Sequence, residues 1–251
     1  MGLGIWGMLL GTLAGTWRLA HRNSLSRAPG ELRRQLFGMG NRSATFIAMT
    51  LGLIGMVMVY QGCQQIDRVT GDLSQVGPQF LRLAIADFAP TLTALMLATR
   101  IGASMAAELG TMTVTDQVDA IRLCGVLPID YLVVPRFWAC AIATIALSVY
   151  GGVVMFVAGG VIAYFSFDLN PALYVDFSLV TGAHLGMFLC KAASYGMALP
   201  IVAAYMGLDA QPGQDGVGKA TTRAVLGGSL AVIGLDLVWT VFGFFVLGAR
   251  L

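Results

Sequence analysis

Five apolar stretches, each long enough to cross a lipid bilayer, constrain this chain more than any other feature. A transmembrane helix needs about 20 mostly apolar residues. The candidate runs cover residues 43–62, 80–107, 137–165, 178–207 and 224–249. Charged residues make up only 11% of the chain, whereas soluble domains contain about 25%. We therefore predict an all-α integral membrane protein with five transmembrane helices.

The basic residues between these runs predict the orientation of the chain. Lys and Arg are retained preferentially on the cytoplasmic side of a membrane. The loops at residues 63–79 and 168–176 have no excess of basic residues, so we expect them outside the cytoplasm, with the N-terminus inside and the C-terminus outside. The basic residues on the other side are Arg18, Arg22, Arg27, Arg33, Arg34, Arg42, Arg100, Arg122, Arg136, Lys219 and Arg223.

The segment before the first run is predicted to form N-terminal interfacial and elbow helices over residues 1–42, followed by the membrane domain over residues 43–251. Residues 1–17 are uncharged and short for a span, with Trp6 and Trp17 placed as interface residues. We favour a helix lying on the cytoplasmic surface over a sixth span. Residues 28–40 mix arginines with apolar residues, which is typical of an interfacial elbow or of a solvated basic linker.

Three ionisable residues stand out at membrane depth, where a charge costs at least about 2.5–3.5 kcal/mol. Lys191 and Asp236 each lie about 13 residues into a run, roughly 20 Å deep, so they can neutralise one another. Asp87 has no basic residue at helical spacing, and we expect it to line an opening rather than to form a pair. The cluster is either a polar patch in a substrate path or an ion pair that holds helices together.

The connector between the second and third runs predicts a short surface helix over about residues 113–124. Thr113 or Thr115 can cap its start, and Gly125 followed by Pro128 ends it. An apolar stripe at helical spacing follows one face of this helix. That face docks into a groove on a soluble partner, or it lies on the membrane domain itself. The stripe consists of Val114, Val118 and Ile121.

Several kinds of site lack their sequence signatures. Residues 213–220, GQDGVGKA, approach a phosphate-binding loop, but Ala220 stands where a magnesium-ligating Ser or Thr belongs, and a membrane run precedes the segment instead of a strand. The four cysteines and two histidines show no metal-ligand spacing. A net charge of +2 does not indicate a nucleic-acid partner. We expect no cofactor, metal or nucleotide site in this chain.

Three segments around the connector resemble the signature of the MlaE family of ABC-transporter permeases. They are AAELGTM at residues 106–112, DQVDAI at residues 116–121 and VVPRFWA at residues 133–139. The resemblance extends from about Gln35 to Leu247 and includes ATTRAV at residues 220–225 and LAVIGLD at residues 230–236.

This resemblance implies a homodimeric permease with five spans in the bacterial inner membrane. Such permeases move phospholipid between that membrane and a periplasmic carrier system. The partners implied are a cytoplasmic ATPase that binds ATP and Mg²⁺, a hexameric MCE-domain protein at the outer face, and a STAS-domain protein on the ATPase. The chain itself is then a transport subunit and not an enzyme. A sterol or another lipid as substrate, an intramembrane lipid-modifying enzyme, and a passive channel or scaffold remain the alternatives.

The resemblance also implies roles for particular residues. Asp87, Lys191 and Asp236 match the intramembrane charged positions of the family and are the substrate-path candidates. The arginine that often precedes the acidic residue of the second span is here Ala86, which leaves a head-group contact at that position unsupported. The candidate ATPase-coupling residues are Glu108, Thr115, Asp116, Val118, Asp119, Ile121 and Arg122.

Overall fold

The computed structural model describes residues 7, 10–12, 14, 29–69, 71, 73–212 and 215–247. Throughout these residues the chain consists of helices and short turns, without a strand. Five helices are long and apolar enough to cross a membrane. The predicted all-α architecture with five spans is therefore confirmed. In chain order the helices are α1 (Pro29–Val69), α2 (Leu73–Val114), α3 (Gln117–Leu123), α4 (Ile129–Phe167), α5 (Pro171–Tyr174), α6 (Gly182–Leu208) and α7 (Gly216–Leu247).

The two ends of the bundle are distinguished by their loops. The connector end carries residues 115–128 and 209–212, and the loop end carries residues 168–181. Among the five spans, α6 is the most buried and α7 the least. Helix α6 contacts α2, α4 and α7, whereas α1 packs mainly along α4. Helix α6 therefore lies at the centre of the bundle, and much of α7 remains uncovered.

Glycines allow α1 and α4 to pack closely. A Cβ atom at Gly55 of α1 would collide with the backbone carbonyl of Met155, and one at Gly151 or Gly159 of α4 would collide with α1 side chains. Close backbone approach through glycine is typical of membrane helices. The neighbouring Gly152 faces Ala89 of α2 instead, where a Cβ would be 3.1 Å from the Ala89 Cβ.

Helix α2 contains two π-helical turns, at Ala84–Phe88 and Ala98–Gly102. At the first of them, the Ala89 N–H donates to the Ala84 carbonyl, five residues back. Pro90 follows immediately, and proline provides no N–H while its ring crowds the carbonyl four residues earlier. A wider turn relieves that conflict and changes the direction in which neighbouring side chains point. The turn includes Asp87, one of the three intramembrane charges.

The N-terminal predictions fall largely outside the described residues. Gly7, Leu10–Thr12 and Ala14 are helical, and a Cβ at Gly11 would lie 3.3 Å from Cδ1 of Ile129, at the connector end of α4. Whether residues 1–17 lie on the membrane or cross it stays a prediction. Helix α1 continues unbroken from Pro29 into the first span, so no helix end separates residue 42 from residue 43.

Candidate functional site

The three intramembrane charges converge from three helices into one cluster. Lys191 of α6 forms an ion pair with Asp87 of α2, and its Nζ lies 3.4 Å from Oδ1 of Asp236 in α7. The predicted neutralisation of Lys191 by Asp236 is confirmed. The expectation that Asp87 forms no pair is wrong, because its partner comes from another helix and not from the neighbours along α2 that the sequence spacing tests. Its side chain is nonetheless 46% exposed, so the expectation that it faces an opening is not contradicted.

The cluster lies at one level of the bundle, nearer the loop end. Lys191 is nine residues from the start of α6 and Asp236 is eleven residues from the end of α7. At 1.5 Å per residue these separations correspond to about 14 and 17 Å from the loop end. Asp87 lies eleven residues after Val76, where the regular α-helical part of α2 begins beyond the short 3₁₀ turn Leu73–Gln75, a separation of about 17 Å. The three side chains meet because these helices place them at matching depths.

Two further residues, which the sequence interpretation missed, hold the Asp236 carboxylate. Tyr195 and Thr91 donate hydrogen bonds of 2.7 and 3.0 Å to its Oδ1 atom. Tyr195 comes four residues after Lys191, and Thr91 comes four residues after Asp87. Residues four apart share a helix face, so this spacing was the available signal. Asp236 is therefore oriented by donors from both α2 and α6.

A second layer of polar contacts lies beside the lysine backbone. The Ser194 hydroxyl donates to the Lys191 carbonyl at 2.8 Å, and Trp239 Nε1 donates to the Ser194 hydroxyl at 2.9 Å. Trp239 lies on α7, near Asp236 in sequence. These contacts tie α6 to α7 at the level of the cluster, so the helices that carry Lys191 and Asp236 are held in fixed register.

The exposure of the three charged side chains is unequal. The Lys191 side chain is completely buried, whereas those of Asp87 and Asp236 are 46% and 28% exposed. One ammonium group against two carboxylates leaves a formal net charge of −1. The arrangement can attract a cation or a hydrogen-bond donor from the open side, because the acidic groups face outward and the basic group faces inward.

The predicted surface helix of the connector is present as α3, Gln117–Leu123. Asp116 adopts a left-handed conformation with φ of 58°, which turns the chain sharply between α2 and α3. Gly125, with φ of +76°, follows the helix as predicted. The predicted threonine caps are wrong: the Thr113 and Thr115 hydroxyls donate backward, to the carbonyls of Leu109 and Thr111. Both threonines therefore belong to the last turns of α2 and the turn after it, not to the start of α3.

The two faces of α3 have different environments. Val118 is buried and Ile121 partly buried, both in a core cluster formed with α2, α4, α6 and α7 at the connector end. This favours the alternative in which the apolar stripe lies on the membrane domain. The opposite face exposes Asp116, Asp119, Arg122 and Leu123, and the Leu123 residue is 89% exposed. Among the predicted coupling residues, Val118 and Ile121 anchor the helix, and the charged ones are accessible.

An ion pair joins the two segments that flank the connector. Arg136 of α4 donates to Oε1 of Glu108 in α2 at 2.6 Å, bridging 28 positions of the sequence. The Arg136 side chain is 6% exposed and that of Glu108 is 50% exposed. The structure thus places Glu108, a predicted coupling residue, at the base of the connector, where it is held by α4. The connector therefore begins and ends at helices that are fixed to each other.

The segment that approaches a phosphate-binding loop lies at the start of α7. Gly216–Ala220 form the first turns of that helix, and the preceding element is α6. A cavity of about 270 Å³ lies beside it, with Asp209, Asp215, Lys219 and Arg223 in its lining. Gly213 and Gln214 are outside the described residues. Among the residues that are described, no three His, Cys, Asp or Glu side chains are grouped to hold a metal ion.

Five apolar helices, a charged cluster within them and a surface helix between the second and third spans define a multi-pass membrane protein with the organisation of a transporter permease. The sequence model of the family described as Permease MlaE matches residues 32–242. Because this match covers most of the chain, the protein belongs to the MlaE family of ABC-transporter permeases.

Relatives of the chain carry corresponding names. A probable ABC transporter permease protein of Rickettsia felis is 34% identical over 202 residues, which cover 80% of this chain and 78% of the relative. A probable ABC transporter permease protein of Synechocystis is 33% identical, covering 90% of this chain and 84% of the relative. The intermembrane phospholipid transport system permease protein of Haemophilus influenzae is 28% identical, with coverage of 94% and 89%.

Proposed function

We propose that this permease moves phospholipid between the bacterial inner membrane and a periplasmic carrier system containing a hexameric MCE-domain protein. The observation that carries the proposal is the charged cluster, which exposes two carboxylates on the side of an otherwise apolar span bundle. A phospholipid has a charged head group and apolar chains, so its path must combine charged groups with an apolar surface. The name of the Haemophilus relative supports this substrate class.

Two copies of the chain form the transport path in this proposal. Carboxylates exposed at membrane depth are unfavourable against acyl chains by at least about 2.5–3.5 kcal/mol each. Asp87 and Asp236 therefore face a wet chamber between two subunits and not the lipid. The uncovered surface of α7 supports such pairing, since Leu230, Leu237 and Val238 of this helix, which also carries Asp236, are all at least 60% exposed. The chamber is apolar along its walls and polar at the level of the cluster.

ATP hydrolysis takes place in a separate subunit in this proposal. A cytoplasmic ATPase, which binds ATP and Mg²⁺ and carries a STAS-domain protein, contacts the exposed face of α3. A push on α3 reaches the bundle through Val118, which is buried in the core at the connector end, and through the Glu108–Arg136 ion pair. Closure of the ATPase collapses the chamber and transfers the lipid to the carrier, or receives it in the reverse direction.

The distribution of basic residues supports the orientation that accompanies this function. The connector end of the bundle has Arg122, Arg136, Lys219 and Arg223, whereas residues 168–181 contain no Lys or Arg. By the positive-inside rule the connector end is cytoplasmic and the loop end periplasmic. The N-terminus is then cytoplasmic and the C-terminus periplasmic. This orientation places the cluster in the outer half of the membrane, near the carrier.

The test compares two variants at opposite ends of the protein after reconstitution with the ATPase. Leu123→Glu alters the exposed face of α3, and Leu173→Glu is the matched control in α5, where the residue is 52% exposed. We expect Leu123→Glu to reduce permease-stimulated ATP hydrolysis by about tenfold or more. The control is expected to retain stimulation. Equal stimulation by both variants would contradict α3 as the coupling element.

Mass spectrometry of the lipids retained by the purified complex tests the substrate. The expected result is phospholipid, unchanged in covalent structure. Retention of a sterol in its place would assign a different transported lipid, and hydrolysed or otherwise modified lipid would indicate an intramembrane enzyme. Failure of any ATPase to copurify with the permease would instead favour a passive channel or scaffold.

A further inference from the structure

We propose that Asp87 and Asp236 recognise the ammonium group of an aminophospholipid, and that Lys191 is their internal counter-ion rather than a ligand for the lipid phosphate. This inference rests on the proposed function, because it specifies which head group that site selects. The residue type alone suggests the opposite role for Lys191, since a lysine within a lipid path is a natural phosphate ligand. The geometry of the cluster argues against that role.

The burial of Lys191 is the first step. Its side chain is completely covered, and its ammonium group is directed at the Asp87 and Asp236 carboxylates. A phosphate that approached from the open side of the cluster would meet those two partly exposed carboxylates before it met the lysine. Contact with Nζ would require Lys191 to leave a buried ion pair, which costs several kcal/mol in proteins.

The unoccupied carboxylate oxygens are the second step. Lys191 donates to Oδ1 of Asp87, while Tyr195 and Thr91 donate to Oδ1 of Asp236. Across the residues that the structure describes, neither Oδ2 atom accepts a side-chain hydrogen bond. Two acceptor atoms with charged character therefore remain for a donor from outside. A primary ammonium group has three N–H donors and matches this need.

The charge balance is the third step. The cluster has two carboxylates and one ammonium group, so a formal charge of −1 remains in each copy. A charge at membrane depth usually has a partner or a wet cavity. An ammonium group brings the balance to zero, whereas an anionic head group adds to the repulsion. A choline group has the right charge but no N–H donor, so its interaction is weaker.

The cluster therefore ranks three head groups. Phosphatidylethanolamine is bound in preference to phosphatidylcholine, because only its ammonium group donates hydrogen bonds to the free oxygens. Phosphatidylcholine is in turn preferred to phosphatidylglycerol, which has no positive charge. This order arises from Asp87 and Asp236 and does not depend on the acyl chains, so it is measurable with lipids of identical chains.

The experiment uses the whole transporter complex in nanodiscs containing equal amounts of the three lipids with identical chains. The lipids that remain after exchange into detergent are quantified by mass spectrometry. We expect the wild-type complex to enrich phosphatidylethanolamine over phosphatidylglycerol by roughly tenfold. Asp87→Asn, Asp236→Asn and their combination are expected to lower this enrichment progressively toward the ratio of the nanodisc.

Asp168→Asn is the matched control, because it removes a carboxylate at the same end of the bundle but outside the cluster. Asp168 has φ of 48°, a conformation that Asn tolerates well, so the fold and the enrichment are expected to persist. If Asp236→Asn prevents assembly, Asp87→Asn alone is decisive, since Asp87 is the more exposed carboxylate and none of the described Tyr or Thr side chains donates to it.

The outcomes separate this inference from the proposed function. Retained phospholipid with no head-group preference in the wild type would overturn the ammonium site and leave phospholipid transport intact. The same conclusion follows if both Asp→Asn variants keep the wild-type preference, or if phosphatidylglycerol is the enriched lipid. A complex that retains and transports no phospholipid would overturn the proposed function itself.

Discussion

Two ion pairs at different levels of the bundle have the same arrangement of burial but a different balance of charge. In each, a buried base meets a half-exposed acid: Lys191 with Asp87 near the loop end, and Arg136 with Glu108 at the connector end. Among the residues that the structure describes, Arg136 has a single acidic partner, so its pair is neutral. Lys191 has a second one, Asp236, and that cluster keeps a surplus negative charge.

This difference indicates that the two pairs serve different purposes. The neutral pair joins α2 to α4 at the base of the connector and carries no surplus charge. The cluster joins three helices and keeps carboxylate oxygens open to its surroundings. An exposed pair on α3, Asp119 with Arg122 at 2.9 Å, completes the series. Removal of the basic residue from each pair in turn tests how burial and charge balance determine its contribution.

The largest effect is expected for Lys191→Met, which keeps the side-chain length and removes the charge. Asp87 and Asp236 would then face each other without their common counter-ion. Loss of one partner from a buried ion pair costs about 3–5 kcal/mol. Unfolding in mixed micelles, followed by circular dichroism, measures this loss. Lys219→Met, an exposed position at the start of α7, is the control, and equal stability of the two variants would show that the cluster contributes nothing to the fold.

A smaller effect is expected for Arg136→Met. Glu108 is 50% exposed and regains water when its partner is lost, so we expect destabilisation of about 1–3 kcal/mol. Permease-stimulated ATP hydrolysis should fall as well, since α2 and α4 would no longer be tied together beneath α3. Arg223→Met at an exposed position of α7 is the control. Wild-type stimulation of ATP hydrolysis by Arg136→Met would show that this ion pair is not needed for coupling to the ATPase.

The smallest effect is expected for Arg122→Ala. Its side chain and that of Asp119 are 46% and 63% exposed, and exposed helix pairs contribute about 0.5 kcal/mol or less. The same unfolding measurement should place this variant within error of the wild type. A loss comparable to that of Arg136→Met would mean that α3 depends on the surface pair as well as on the burial of Val118.

Much of the candidate site was predictable because charged residues are costly and therefore rare within transmembrane helices. Asp87, Lys191 and Asp236 stand out in apolar runs, and the depth of Lys191 and Asp236 suggested their pairing. The pairing of Asp87 was not predictable from helical spacing, since that spacing reports only on neighbours along one helix. Its partner lies 104 positions away, and the π turn before Pro90 affects the direction of its side chain.

The connector likewise contains features that the sequence predicts and one that it does not. Its helix and the glycine that follows it were evident from local residues, because turns and helix ends depend on backbone conformation nearby. The orientation of the helix was not evident. Val118 and Ile121 are equally suited to a partner groove and to the membrane domain, and only the packing against α2, α4, α6 and α7 distinguishes these environments.

The sequence by itself determined the five spans, the predicted orientation and the family, because hydrophobic length, basic flanks and motif segments are properties of the linear chain. Tertiary structure alone decided which acid meets which base and which side of each pair remains open. The physical reason is that an ion pair between helices depends on their relative depth and rotation. Those two quantities are set by packing, such as the close approach of α1 and α4 through Gly55, Gly151 and Gly159.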